Sequence, residues 1–191
     1  LRNMYDGYRF TQVITLVYNP FSLLMAFQRK TLGHFWFQTG TPKYLVELLQ
    51  NRNYRLTELE GTISDEDSLS AFNPDSDDDP IPVMYQSGYL TIKDFDPRRN
   101  KFSLDFPNEE VRKGFMKYLY PFYAKTKVKQ QFAYELFRDE IEDGNAGDFM
   151  QRLQALTADM SYEILANCEN DFQNLLFIIF SLASIKPTVE R

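Results

Sequence analysis

Between Tyr8 and Tyr18 the chain reads YRFTQVITLVY, dominated by aromatic and β-branched residues. That run predicts two short strands closing a small N-terminal hairpin. The apolar period then lengthens. In NPFSLLMAFQRK, Asn19 is placed to cap a helix and Pro20 suits its first position, while Phe21, Leu24 and Phe27 or Leu23 and Phe27 share a face. After a turn around Gly33, FWFQTGTPKYLVELLQ starts another helix at Thr41 and Pro42, with Leu45, Leu48 and Leu49 as its buried stripe. Positions 51–80 are polar and irregular apart from a short helix near 64–70.

The clearest pattern is VMYQSGYLTIKDFDPRRNKFSLDFPNEEVRKGFMKYLYPFYA. A short helix near 81–87 stops at Gly88, a residue suited to the left-handed C-terminal position. YLTIKDF and KFSLDF alternate in polarity around DPRRN and predict an antiparallel hairpin. A helix follows, with Pro107 or Asn108 at its cap and Glu109 and Glu110 in a first turn that favours acids. Helix, hairpin and helix together resemble a winged-helix unit over about 81–124. Beyond residue 125 only helices are predicted: one stopping at Gly144, one capped by Asp148, and one in CENDFQNLLFIIFSLASI that is apolar nearly all round and should be buried. The expected fold class is α+β, predominantly helical, with the winged-helix-like unit, the N-terminal hairpin and a C-terminal helical connector.

Composition agrees with a folded chain: of 191 residues 43% are apolar and 16% aromatic. The formal net charge of −6 leaves no overall basic footprint for nucleic acid. Cys168 is the only cysteine, which excludes an intrachain disulfide, and the longest apolar run is too short for a bilayer. A cytoplasmic protein without membrane partners is the expectation. Asp75, Asp77, Asp78 and Asp79 read as a solvated loop, since the glycine and terminal Glu of a calcium loop are missing.

Phosphate-loop, GxGxxG, HExxH and CxxC patterns are all absent, and His34 is the sole histidine, so no metal site and no catalytic residue are assigned. TGTP at 39–42 reads as a capped turn before an anion site. Asp6 and Arg9 could form a structural ion pair, or Arg9 could face a phosphate across a domain boundary. Lys125, Lys127 and Lys129, with Arg112 and Lys113 upstream, make the one basic stretch where nucleic acid could be held.

Five stretches in order, YDGYRF, VYNPFSLL, FWFQTGTPKYLVELL, MYQSGYLTI and LDFPNEEVRKGF, resemble a large bacterial family of uncharacterised proteins. Its members pair an AAA-ATPase-like domain with a C-terminal nuclease-like domain of the PD-(D/E)XK superfamily. The resemblance runs from Leu1 to about Tyr123, and GDFMQRLQALTADMSYEI and ENDFQNLLFIIFSL resemble the family's helical link and first nuclease-like helix. It implies that residues 1–124 close an ATPase-like region and that 125–191 link to a nuclease-like domain. The phosphate loop and the nuclease carboxylates would lie outside the chain, with ATP and Mg needed by the parent and no cofactor here. It also implies a core–lid boundary at Tyr5, Asp6, Gly7, Tyr8, Arg9 and Phe10, with Trp36, Thr39, Gly40 and Pro42 beside them. Glu169 matches a family acid near the nuclease site. The expected role is a non-catalytic lid and coupling module; the alternatives are a DNA-binding winged helix and a protein-interaction or oligomerisation scaffold.

Overall fold

Residues 1–38, 43–71, 79–124, 133–158 and 169–183 are described by a computed structural model, whose fold is α+β and predominantly helical. They fall into two units. One comprises Leu1–Arg52 and Glu58–Gly114, the other Asn53–Thr57 and the described residues from Phe115 onward.

In the first unit α1 (Arg2–Tyr5) leads to α2 (Pro20–Arg29), which begins as its sequence demands. The Asn19 side chain accepts from the Ser22 amide at 3.1 Å, and Pro20, with no N–H to satisfy, takes the first turn. A 3-10 turn at Trp36–Gln38 precedes α3 (Lys43–Asn51), which buries Leu45, Val46 and Leu49. Then come β1 (Thr62–Ser64), α4 (Glu66–Ser70), α5 (Ile81–Gln86), β2 (Thr91–Asp96) and β3 (Lys101–Asp105). Gly88 ends the α5 segment at φ 81°, while the Tyr89 and Leu90 amides close back onto the Met84 carbonyl.

β2 and β3 form the predicted hairpin, with Phe95 opposite Phe102 and Ile92 opposite Leu104. The turn is fixed by Asp96, whose carboxylate accepts the Arg98 amide at 2.9 Å, and by Asn100, which adopts φ 51°. β1 lies in the stretch whose sequence predicts irregular chain, yet it pairs with β3 and makes it the central strand of the order β1-β3-β2. Three residues are too few to show a period. The helix and hairpin expected from residue 81 are present as α5 and β2–β3, and β1 joins the hairpin from farther upstream.

The N-terminal hairpin is reduced to one bridge, Tyr8 with Val17, and 9–16 is a loop. Its β-branched residues Val13 and Ile14 are exposed, while the Arg9 backbone is diverted to β2. The Thr91 hydroxyl accepts from the Arg9 amide at 2.8 Å and donates to the Arg9 carbonyl at 2.9 Å, replacing a strand partner.

α6 (Glu109–Ala124) is capped by Asn108, which accepts the Val111 amide at 3.1 Å; the choice between Pro107 and Asn108 falls to the residue with a side-chain acceptor. Gly114 in this helix abuts Phe37, where a Cβ would lie 2.2 Å from the ring. In the second unit, α7 (Ala133–Glu142) is followed by Gly144 at φ 70°, and α8 (Ala146–Ala158) starts two residues before Asp148, which lies inside the first turn instead of capping it. α9 (Glu169–Leu182) buries Leu175, Phe177, Ile178, Ile179 and Leu182, as its apolar circumference predicts. Phe149 packs edge-on to Phe137 at 5.3 Å and against Phe180 at 5.9 Å. Buried Asn174 accepts the Leu56 amide at 2.8 Å and donates to the Tyr54 carbonyl at 2.7 Å.

Candidate functional site

The stretch from Tyr5 to Phe10 is fastened to its own unit. The Tyr5 hydroxyl donates to the Gly33 carbonyl at 3.1 Å and accepts the Gly33 amide at 2.9 Å, while its ring lies beside Phe35 and Ala26 in a small core. Gly7 adopts φ 111° with its backbone against Pro107; a Cβ there would lie 2.1 Å from the Pro107 carbonyl oxygen. Tyr8 is buried, and that burial pushes its phenol up to about 12.

Asp6 and Arg9 do not form the ion pair considered above. The Asp6 carboxylate accepts the Gly7 amide at 2.8 Å and lies 3.5 Å from the exposed Arg2 guanidinium. Arg9 is only 3% exposed and grips three carbonyl oxygens: Thr11 at 2.9 Å from Nε, Lys93 at 3.0 Å from Nη1, and Gln12 from Nη2. A guanidinium spent on carbonyls of its own unit is a clamp, not a phosphate finger. Phe10 is 60% exposed and is the one member of the stretch that faces outward.

Trp36 belongs to an aromatic cluster, edge-on to Tyr89 at 4.6 Å and to Phe37 at 5.0 Å. Its amide is held by a group that sequence reasoning assigned only to the helix dipole. Glu110 is fully buried, and its Oε1 accepts the Phe35 amide at 2.7 Å and the Trp36 amide at 3.0 Å. Burial pushes its carboxyl above the ordinary range, and the Trp36 amide, the Ser22 hydroxyl and the Phe35 amide pull it part of the way back. His34 completes the cluster, its Nδ1 lying 3.0 Å from the Glu110 carbonyl.

α2 shows the most functional character. Its shared apolar face is real, but it points outward. Ser22 and Ala26 are buried, whereas Leu24 is 67% and Phe27 60% exposed, with Phe21 also exposed. Val13, Ile14, Leu16 and Val17 in the preceding loop are exposed as well. Leu23 and Met25 pack partly against the Tyr5–Phe35 core, so α2 has an apolar edge turned inward and a second apolar face turned to water.

The remaining predicted residues divide by position. Thr39, Gly40 and Pro42, and likewise Lys125, Lys127 and Lys129, lie outside the described residues. Arg112 is buried with its Nε 2.7 Å from Glu60, and Lys113 lies 3.4 Å from Glu109, so both face carboxylates. α5 carries no Lys or Arg. Glu169 opens α9 and its carboxylate accepts from the Gln173 side-chain Nε2 at 3.1 Å. Among the described residues there is no group of His, Cys, Asp and Glu able to hold a metal ion, and no helix long and apolar enough to cross a membrane.

Over 114 residues the chain is 39% identical to an "Uncharacterized protein in vnfD 5'region" of Azotobacter chroococcum mcd 1. The match takes in 59% of this chain and 22% of that relative. No family model matches the chain, and no solved structure matches it.

Proposed function

We propose that the chain is a non-catalytic docking and coupling module of a larger ATPase–nuclease-like protein. Its α2 face and the preceding loop would pack on the ATPase-like region, and its C-terminal helices would pass movement to the nuclease-like domain. The exposed apolar face of α2 carries this reading, since large apolar groups turned to water gain free energy once another surface covers them. The resemblance of its motifs to that family supports the reading, as does a relative far longer than the matched stretch. The tight fastening of Tyr5, Gly7 and Arg9 makes this stretch a rigid base for the docking face, so Phe10 and α2 form the boundary surface.

Coupling requires that the docked surface differ between nucleotide states. The test is the parent protein carrying Leu24→Glu and Phe27→Glu. ATP binding should persist, while nucleotide-dependent protection of the α2 segment from amide exchange should vanish. Unchanged protection in the double variant would refute the docking role. Calorimetry of the isolated chain with Mg-ATP should give no heat of binding, and micromolar affinity would refute the non-catalytic assignment.

A further inference from the structure

The Arg9 clamp has a second product. By holding the Thr11 and Gln12 carbonyls, it stands residues 10–13 up as one wall of a cavity of about 480 Å³. Leu69 of α4, Ile92 of β2 and Phe102 of β3 form buried parts of its lining, with Tyr85 of α5 and Phe10 beside them. The volume is at the lower end of the roughly 300–1,000 Å³ usual for ligand pockets. Glu66, exposed on α4, is the only charged residue in the lining, and its charge reaches Tyr85, whose phenol is pushed up by burial first and by Glu66 second.

We infer that this cavity is a binding groove for a short segment of a partner protein, in which a large apolar side chain enters and an adjacent lysine or arginine meets Glu66. The apolar lining supplies the area, and the single carboxylate supplies the choice of charge. The neighbours of Glu66 strengthen that choice. Asp65 and Asp67 flank it in sequence, although Asp65 already holds Lys101 at 2.5 Å, and the whole chain carries a net charge of −6. An acidic or anionic segment would meet repulsion here. The groove shares Phe10 and Val13 with the surface proposed above to meet the ATPase-like region, whereas Glu66, Leu69, Tyr85, Ile92 and Phe102 lie on α4, α5 and the sheet, so peptide binding by the isolated chain tests the groove separately from that role.

The test is selection of random dodecapeptides displayed on phage against the chain, with counter-selection against Phe10→Ala. Phe10 is exposed, so its removal should strip one wall without unfolding the unit. Enriched peptides should carry Phe, Leu or Met next to Lys or Arg, and in isotope-labelled chain they should shift the amides of Leu69, Tyr85 and Ile92. Glu66→Gln should weaken them by about two- to fivefold, the range of an exposed ion pair. Glu66→Lys should weaken them further and favour analogues in which the cation is replaced by Glu. Arg9→Met, which keeps the stem and drops the clamp, should weaken binding without altering the charge preference. Failure to enrich any peptide, enrichment without a cation, or equal binding to Glu66→Lys would overturn the assignment.

Discussion

The buried carboxylate of Glu110 makes a two-part prediction whose signs are set by its surroundings. Truncation by Glu110→Ala removes the acceptor of two backbone amides, Phe35 and Trp36, inside a protein interior. Each orphaned buried donor costs about 1–3 kcal/mol, so the loss should be about 2–6 kcal/mol. Glu110→Gln keeps a carbonyl acceptor of the same shape and should cost much less. Its effect should depend on pH. Burial raises the native pKa of Glu110 above its unfolded value, about 4.3 for a glutamate. In the interval between them the native state binds more protons than the unfolded one, so this group makes stability fall as pH rises. Below the interval both states are protonated and the penalty vanishes; above it the penalty is complete. Glutamine has no such penalty, so the deficit of Glu110→Gln relative to wild type should be largest near pH 4 and should shrink as pH rises. Urea unfolding followed by the fluorescence of Trp36, the only tryptophan, would measure both variants from pH 4 to 8. Asp105, whose carboxyl burial also raises, and Lys93, whose ammonium burial lowers, are common to all three proteins and cancel in the difference. An alanine variant within about 0.5 kcal/mol of wild type, well inside ordinary surface effects, would refute the capping role. A glutamine deficit that widens with pH would refute the desolvation argument.

Gly7→Ala should destabilise the first unit by about 2–4 kcal/mol, because φ 111° disfavours a side chain and the Pro107 backbone would have to move; thermal unfolding near wild type would show that the loop can re-form. In the isolated chain, Leu24→Gln with Phe27→Gln should change stability by no more than about 0.5 kcal/mol per site while lowering binding of an apolar dye. A loss above about 2 kcal/mol would place those residues in a core. In the second unit, Asn174→Leu should cost about 2–4 kcal/mol, since the Leu56 amide and the Tyr54 carbonyl both lose their partner; a stabilised variant in urea unfolding would mean that those groups find new ones.

The elements legible in the sequence were those whose evidence is local. The Asn19–Pro20 start of α2, the left-handed stop at Gly88 and the alternation of β2 and β3 each lie within a few residues and survive in the structure. The residual misses are non-local. Val13 and Ile14 have strand propensity, but a strand needs a partner, and the Arg9 backbone beside them is held instead by Thr91, 82 residues away. β1 exists because β3 had an unpaired edge, which nothing in Thr62–Ser64 announces. Glu110 read as a first-turn acid, although its partners at Phe35 and Trp36 lie about 75 residues upstream.

α2 separates what periodicity can say from what it cannot. The spacing of Phe21, Leu24 and Phe27 establishes that one face is apolar, and the structure agrees. It does not establish which way the face looks. The answer lies in the opposite side, where buried Ser22 and Ala26 permit close approach and Leu23 and Met25 pack partly against the Tyr5–Phe35 core, leaving Phe21, Leu24 and Phe27 outside. Turning the helix to bury Leu24 and Phe27 would expose Ala26 and force two bulky groups into a space fitted to a methyl and a hydroxyl, at an overpacking cost of about 1–3 kcal/mol or more. The orientation is therefore a property of the packed unit, and the exposed face is the surplus that the unit cannot bury by itself. A second surface that covers it would gain about 1.5–3 kcal/mol for each large side chain it removes from water, before the cost of association. Phe21, Leu24 and Phe27 are 40%, 67% and 60% exposed, so the part still in water would supply roughly 2.5–5 kcal/mol by that measure. Under the coupling role proposed above, a gain of that size would hold the docked surface in place while still allowing a differential interaction of a few kcal/mol to release it.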